Sequence, residues 1–275
     1  MVTIDWLKLV LKNPRGGLDR LAGLLDRRGD KREWRRLGIA PRDLYGARAD
    51  AHQQLHSLIC APWPCPQEAD FQHLAANSDL EQAPPPQLRG IEGTRAAQSV
   101  LLSERFDVDF AVLRAIWCVI LHLKASRIVE TGVARGVTSR FILEALARNG
   151  EGSLWSIDLP HVDTSRLGQI GEAVPEALRK HWMLTLGSSR QHLPPLLKRL
   201  KEIDVFVHDS LHTGRNLLFE LEHAWKRLRP GGVVIADDIH RNLAFKSFVA
   251  ALDTAQLVVG ERSERGGLWG VIVKA

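Results

Sequence analysis

No run of the chain is apolar for the ~18–20 residues a membrane span requires. Its opening, MVTIDWLKLVLKNPRGG, has neither the apolar core nor the small-residue cleavage site of a secretory leader. The expectation is a soluble, cytoplasmic protein. Cysteine is scarce, with Cys60, Cys65 and Cys118 at spacings that match no zinc pattern. Three cannot all pair with one another, and reduced thiols with a packing role are expected. Internal repeats and low-complexity segments are also missing.

What is present suffices for a full core, since 275 residues with 45% hydrophobic content fit one large domain, or one domain with an appendage. The formal charge is +5, and the first 50 residues hold all of the excess: twelve Lys and Arg face seven Asp and Glu there, leaving 25 of each beyond. This block, with DRRGDKREWRR, fits either a contact with nucleic acid or a membrane surface, or the solvated face of helices. Its interleaved signs favour the second, so neither a membrane nor a nucleic-acid partner is expected.

The chain divides at EQAPPPQLRG, where Pro84, Pro85 and Pro86 favour an extended connector. Before it, IDWLKLVLK and GLDRLAGLLDRR space apolar residues at three and four, as amphipathic helices do. The boundaries expected are a helical region over 1–83, a connector over 84–105 and an α/β domain over 106–275. In that domain FAVLRAIWCVILHLKA reads as a buried helix. The candidate strands RIVETG, SLWSID, WMLTLG, DVFVHD, GVVIADD, AQLVVGE and LWGVIVKA follow. Helix-length segments separate most of the first five, which predicts a doubly wound parallel sheet. The last two are too close for a parallel crossover and predict an antiparallel hairpin.

Ligands of open α/β sheets bind at the carboxyl ends of the strands. The first strand ends VETGVARG, where Gly132 and Gly136 let the backbone approach a ligand and Glu130 accepts hydrogen bonds. The spacing is not that of the dinucleotide fingerprint. Asp158 ends the second strand, 22 residues past Gly136, where it can take a ribose's hydroxyls or cap a helix. Ser188 and Ser189 follow the third strand, placed for a nucleobase or a helix cap. Asp209 ends the fourth strand, and Asp237 with Asp238 ends the fifth. Three carboxylates this close repel unless a cation stands among them, and oxygen ligands of this kind suit Mg²⁺ or Mn²⁺. His212, three residues past Asp209, is placed to act as a general base, to cap the helix or to bind substrate. His208 points away as a hydrogen-bonded core residue, while His240 and Asn242 are candidates for the substrate side.

From about Arg127 to Ala275 the chain resembles class I S-adenosylmethionine-dependent methyltransferases, through ETGVARG, HDSLH and LRPGGVVIADD. Within them it resembles bacterial small-molecule, metal-assisted O-methyltransferases of the catechol and macrolide-sugar types. The resemblance implies a Rossmann-like seven-stranded sheet with the helical N-terminal region as an appendage. It implies that Glu130, Gly132, Gly136, Asp158 and Ser188 hold the cofactor, Glu130 near its amino acid portion. It also implies that Asp209, Asp237 and Asp238 hold the metal. The catechol type has an acid then an amide where this chain has Asp237 then Asp238. At the offset of His212 the catechol type carries a lysine base and the macrolide type a histidine. The expected acceptor is a hydroxyl of a sugar, a phenol or a natural product. The N-terminal helices would serve as a lid or as a contact between copies. Alternatives left open are a metal-independent methyltransferase acting on N or O, another nucleotide-binding enzyme, and a binding module without activity.

Overall fold

The computed structural model describes residues 14–46, 50–59, 67–77, 109–159, 168–253, 255–261 and 267–275. The connector expected at 84–105 lies outside them, as do Cys60 and Cys65. Four helices precede the sheet: α1 (Pro14–Leu37), α2 (Pro41–Tyr45), α3 (Ala51–Leu58) and α4 (Glu68–Asn77). Next come α5 (Phe110–Leu123), β1 (Arg127–Thr131), α6 (Val137–Asn149), β2 (Ser153–Asp158), β3 (Trp182–Leu186), α7 (Ser189–Leu200) and β4 (Ile203–His208). The chain continues through α8 (Gly214–Trp225), β5 (Leu228–Ala236), α9 (Ala244–Ala250), β6 (Ala255–Glu261) and β7 (Leu268–Lys274).

The seven strands form one sheet in the order β3-β2-β1-β4-β5-β7-β6. β1 to β5 pair in parallel, and β7 pairs antiparallel with both β5 and β6. The predicted hairpin is present, its second strand inserted between β5 and β6. The order reverses between β1 and β4, where a crevice forms at the carboxyl ends. Side-chain alternation builds the two faces. Val205 and Val207 of β4 join a core with Val233 and Ile235 of β5 and Val271 and Val273 of β7. Phe206, Val234, Ala236 and Ile272 join the core of the opposite face with α8 residues Leu217 and Leu221.

α5 is buried on almost every side, from Val112 to Leu121, because it is sandwiched between the sheet and the preceding helices. Asp109 starts it by accepting the Ala111 N–H at 2.9 Å. Ala51 and Leu55 of α3 and Phe71 and Leu74 of α4 share one core with Trp117 and Phe141, so these helices are built into the domain's own core. Cys118, fully buried on α5, is disulfide-bonded, which corrects the expectation of three reduced thiols.

α1 and α2 rest on the segments that follow β4 and β5. Gly214 donates its N–H to Asp30 Oδ2 at 3.1 Å, and Leu211 packs so closely on Gly23 that a side chain there would meet it. Tyr45 Oη donates to the carbonyls of Ile239 and Asn242 and accepts the Lys246 N–H at 3.3 Å. Among the described residues no helix is long and apolar enough to cross a membrane.

Candidate active site

The loop after β1 turns through three left-handed residues, Gly132 (φ +87°), Ala134 (φ +47°) and Gly136 (φ +89°). Gly132 also has no room for a side chain, since a Cβ would run into the carbonyl oxygen of Asp209. The loop of β1 and the tip of β4 are therefore packed backbone on backbone. Asp158, at the tip of β2, accepts the Ala134 N–H at 3.0 Å. It thus holds the loop in shape beside the crevice and stays partly exposed. Removing this carboxylate takes away both a loop clamp and the expected ribose acceptor. Asp158→Ala is expected to weaken binding of S-adenosylhomocysteine, followed by calorimetric titration, by about 1–3 kcal/mol. Unchanged affinity would show that Asp158 serves only the fold.

Glu130, expected near the cofactor's amino acid portion, is fully buried at the carboxyl end of β1. Its register neighbour on β2 is Ser156, so both point to the α6 side of the sheet. Glu130 Oε2 accepts hydrogen bonds from Ser156 Oγ and Ser139 Oγ, each at 2.6 Å, and the residue has no exposed surface. Burial lifts its carboxyl to about 7 against the pull of those hydroxyls. In this geometry Oε2 ties β1 to β2 and α6, while Oε1 has no hydrogen-bond partner among the described residues. Ser188 stands at the cap position of α7, yet its side chain makes no capping bond. Its buried Oγ has no hydrogen-bond partner among the described residues, which leaves it available to a ligand polar group.

Backbone bonds lock the tips of β1, β4 and β5 together: Asp209 N–H donates to Thr131 O at 2.9 Å and Asp237 N–H to His208 O at 3.0 Å. This brings Asp209 and the Asp237–Asp238 pair to neighbouring positions, as expected. Between them stands His212, with Nε2 3.6 Å from both Asp209 Oδ1 and Asp238 Oδ2. Those separations are charge contacts, too long for hydrogen bonds. Burial, reinforced by His208, pushes the His212 pKa down to about 3, only partly offset by Asp238. The ring is therefore neutral at ordinary pH.

A divalent metal fits these residues poorly. Asp238 sits at φ +54°, and its Oδ2 accepts Arg241 Nε at 2.6 Å. His240 Nδ1 lies 3.8 Å from Asp238 Oδ1, but it accepts the Leu268 N–H at 3.1 Å. The shorter contact governs, so His240 belongs to the β7 side of this turn. Among the described residues no group of three or more His, Cys, Asp or Glu is arranged to hold a metal ion. The expected ligand set of Asp209, Asp237 and Asp238 is not found as such a group, and Asp238 is engaged by a guanidinium. Asn242 is likewise a brace: it is almost fully buried, its Nδ2 donates to His212 O at 3.4 Å, and its Oδ1 accepts the Ala244 N–H at 2.9 Å.

The expected burial of His208 is observed, and its partner is a residue the motifs did not point to. Glu220, on the inward face of α8 and fully buried, accepts His208 Nδ1 at 2.6 Å, Thr131 Oγ1 at 2.6 Å, Ser210 Oγ at 2.9 Å and Asn216 Nδ2 at 2.9 Å. One carboxylate thereby ties β1, β4, the turn after β4 and α8. A sequence signal existed: Glu220 shares a helical face with Asn216, Leu217, Leu221 and Ala224, an acid on a buried stripe.

Residues 129–239 match the model of a family described as a methyltransferase domain. The fold is similar to the O-methyltransferase TomG from Streptomyces achromogenes, involved in tomaymycin synthesis and solved with SAM. The identity there is 16% and the TM-score 0.51, over 68% of this chain and 92% of that one. It is similar to a putative O-methyltransferase from Klebsiella pneumoniae, at 17% identity and TM-score 0.51, over 76% of this chain and 97% of that one. It is also similar to an O-methyltransferase from Bacillus cereus in complex with SAH, at 16% identity and TM-score 0.51, over 76% and 92%. Comparison with curated proteins gives no match. The matched span runs from β1 to the turn after β5 and holds the glycine loop and all three acidic tips. Residues 129–239 are thus similar to a methyltransferase domain, and the seven-stranded sheet of this chain has the fold of O-methyltransferases solved with SAM or SAH.

Proposed function

We propose that the protein transfers the methyl group of S-adenosylmethionine to a hydroxyl oxygen of a small molecule. The observation that carries this reading is His212, a neutral imidazole at the tips of β4 and β5, with a carboxylate 3.6 Å away on either side of Nε2. The donor would lie along the β1 and β2 tips, with Gly132 and Gly136 giving its chain close access to the backbone, Asp158 facing its ribose and Ser188 its base. Its sulfonium supplies an activated methyl group. The protein's share is then to align the acceptor and to take its proton.

The O–H bond of the acceptor breaks as the O–CH₃ bond forms. The S–CH₃ bond opens with its electron pair returning to sulfur, and the proton passes to His212 Nε2. This requires the resting ring to carry its hydrogen on Nδ1. Asp209 and Asp238 then face the new imidazolium, and their charge favours it most in a site shielded from water. Asp209 has more exposed side chain than Asp238, at 17% against 6%, and is the carboxylate placed to meet the acceptor. No step is assigned to a metal, because Arg241 engages Asp238.

Purified protein incubated with S-adenosylmethionine and a panel of phenols, sugars and hydroxylated natural products is expected to release S-adenosylhomocysteine, with the product's new methyl on oxygen by NMR. A methyl found only on nitrogen or carbon would overturn the proposal.

A further inference from the structure

We propose that Arg241 is the resident cation of the acidic strand tips, standing where the resemblance implies a divalent metal. The inference rests on reading those tips as the acceptor side of the methyltransferase site, but its test needs no turnover. Asp237 and Asp238 are almost fully buried and Asp209 lies on the adjacent strand end. Carboxylates gathered in this way need a compensating positive charge.

The chain supplies one from its own next turn. Asp238 takes a left-handed backbone conformation, and Arg241 N–H donates to Asp238 O at 3.0 Å, closing a short 3₁₀ turn over Ile239–Arg241. That turn delivers the Arg241 side chain back onto Asp238, where Nε meets Oδ2 at 2.6 Å. Arginine cannot be deprotonated at working pH, so the charge is permanent.

A metal would have to displace this arrangement. Mg²⁺ or Mn²⁺ seeks near-octahedral oxygen donors with several waters retained. The alternative donor set, His212 Nε2 with Asp209 Oδ1 and Asp238 Oδ2, needs the very oxygen that accepts from Arg241. Losing Arg241 would release that oxygen and remove a permanent positive charge from beside Asp238. The variant, unlike the wild type, should then recruit a divalent ion.

The probe is Mn²⁺, followed by the electron paramagnetic resonance signal of the free ion and by the melting temperature with Mn²⁺ or with chelator. For the wild-type protein the free Mn²⁺ signal should be undiminished and the melting temperature the same in both conditions. Arg241→Ala should melt lower in chelator, take up about one Mn²⁺ per chain and regain stability with it, while Arg241→Lys should stay indifferent to the ion. Stoichiometric Mn²⁺ uptake by the wild type that Asp209→Asn abolishes would overturn the proposal, and that titration decides even if Arg241→Ala fails to fold. Arg241→Ala as indifferent to Mn²⁺ as the wild type would also overturn it. A wild type that ignores Mn²⁺ and also fails to bind S-adenosylhomocysteine would leave the cation assignment standing and fail the methyltransferase reading alone.

Discussion

Glu220→Ala is expected to destabilise the protein by about 3–5 kcal/mol, the usual cost of stripping one partner from a buried ionic group. Burial alone would keep this carboxyl neutral, but His208, together with the hydroxyls of Ser189 and Thr131, outweighs it and holds the acid down to about 2. Deleting the side chain leaves His208 Nδ1 and Thr131 Oγ1 without this acceptor in a site closed to water, and Asn216 Nδ2 with only Ser210 Oγ. The folded pKa lies below the ordinary carboxylate value, so the stabilisation is present above about 4.5 and disappears as pH falls toward about 2. Urea unfolding followed by circular dichroism at pH 7 gives the cost, and repeating it near pH 3 should shrink the gap between variant and wild type. A loss under about 1 kcal/mol at pH 7 would mean that the network is not the brace described. Glu220→Gln keeps the shape and one acceptor, and should fall between the two.

The second large effect falls on turnover. His212→Ala is expected to lower kcat by roughly 10²-fold or more while affinity for S-adenosylmethionine hardly moves, because in the proposed mechanism the ring takes the acceptor's proton and does not touch the donor. The sequence alone gives an expected rise in rate through pH ~6.5, the value of an unperturbed imidazole. The structure changes that expectation, since burial holds His212 down to about 3. The ring is then already neutral across pH 5–9, and the wild-type rate should show no step from this residue near 6.5. Stopped assays of product against pH, with acceptor saturating, measure both points. Near-normal kcat in the variant, or loss of cofactor affinity in proportion to rate, would make His212 a structural residue.

The parts of this site that were legible in the sequence are those set by local pattern. Asp158, Asp209 and the Asp237–Asp238 pair each close an alternating strand, and a strand's carboxyl end in such a sheet faces the crevice. Gly132 and Gly136 announced a tight turn, and both have positive φ. The illegible parts depend on which way one side chain turns or on residues far away in the chain. Glu220 and Glu222 look alike in FELEH, yet only Glu220 faces the sheet. Glu130 lies one residue before the end of β1, and its bonds to Ser156 and Ser139, which join it to β2 and α6, were not announced by the strand pattern. Arg241 lies in a turn without periodicity, so nothing local tied it to Asp238. The depressed basicity of His212 owes part of its origin to Arg27, on a helix whose sequence carries no link to the fourth strand.

The bond between Tyr45 and Lys246 spans 201 positions, and that from Gly214 to Asp30 spans 184. On the ribosome, where chains grow at ~5–20 residues per second and fold largely from the N-terminus, α1 and α2 emerge long before anything they rest on exists. The two segments that receive them are made only after four of the five parallel strands. These two helices are consequently among the last elements to settle, and a nascent chain halted before residue 246 has its glycine loop and its acidic strand tips but not the Lys246 amide that donates to Tyr45.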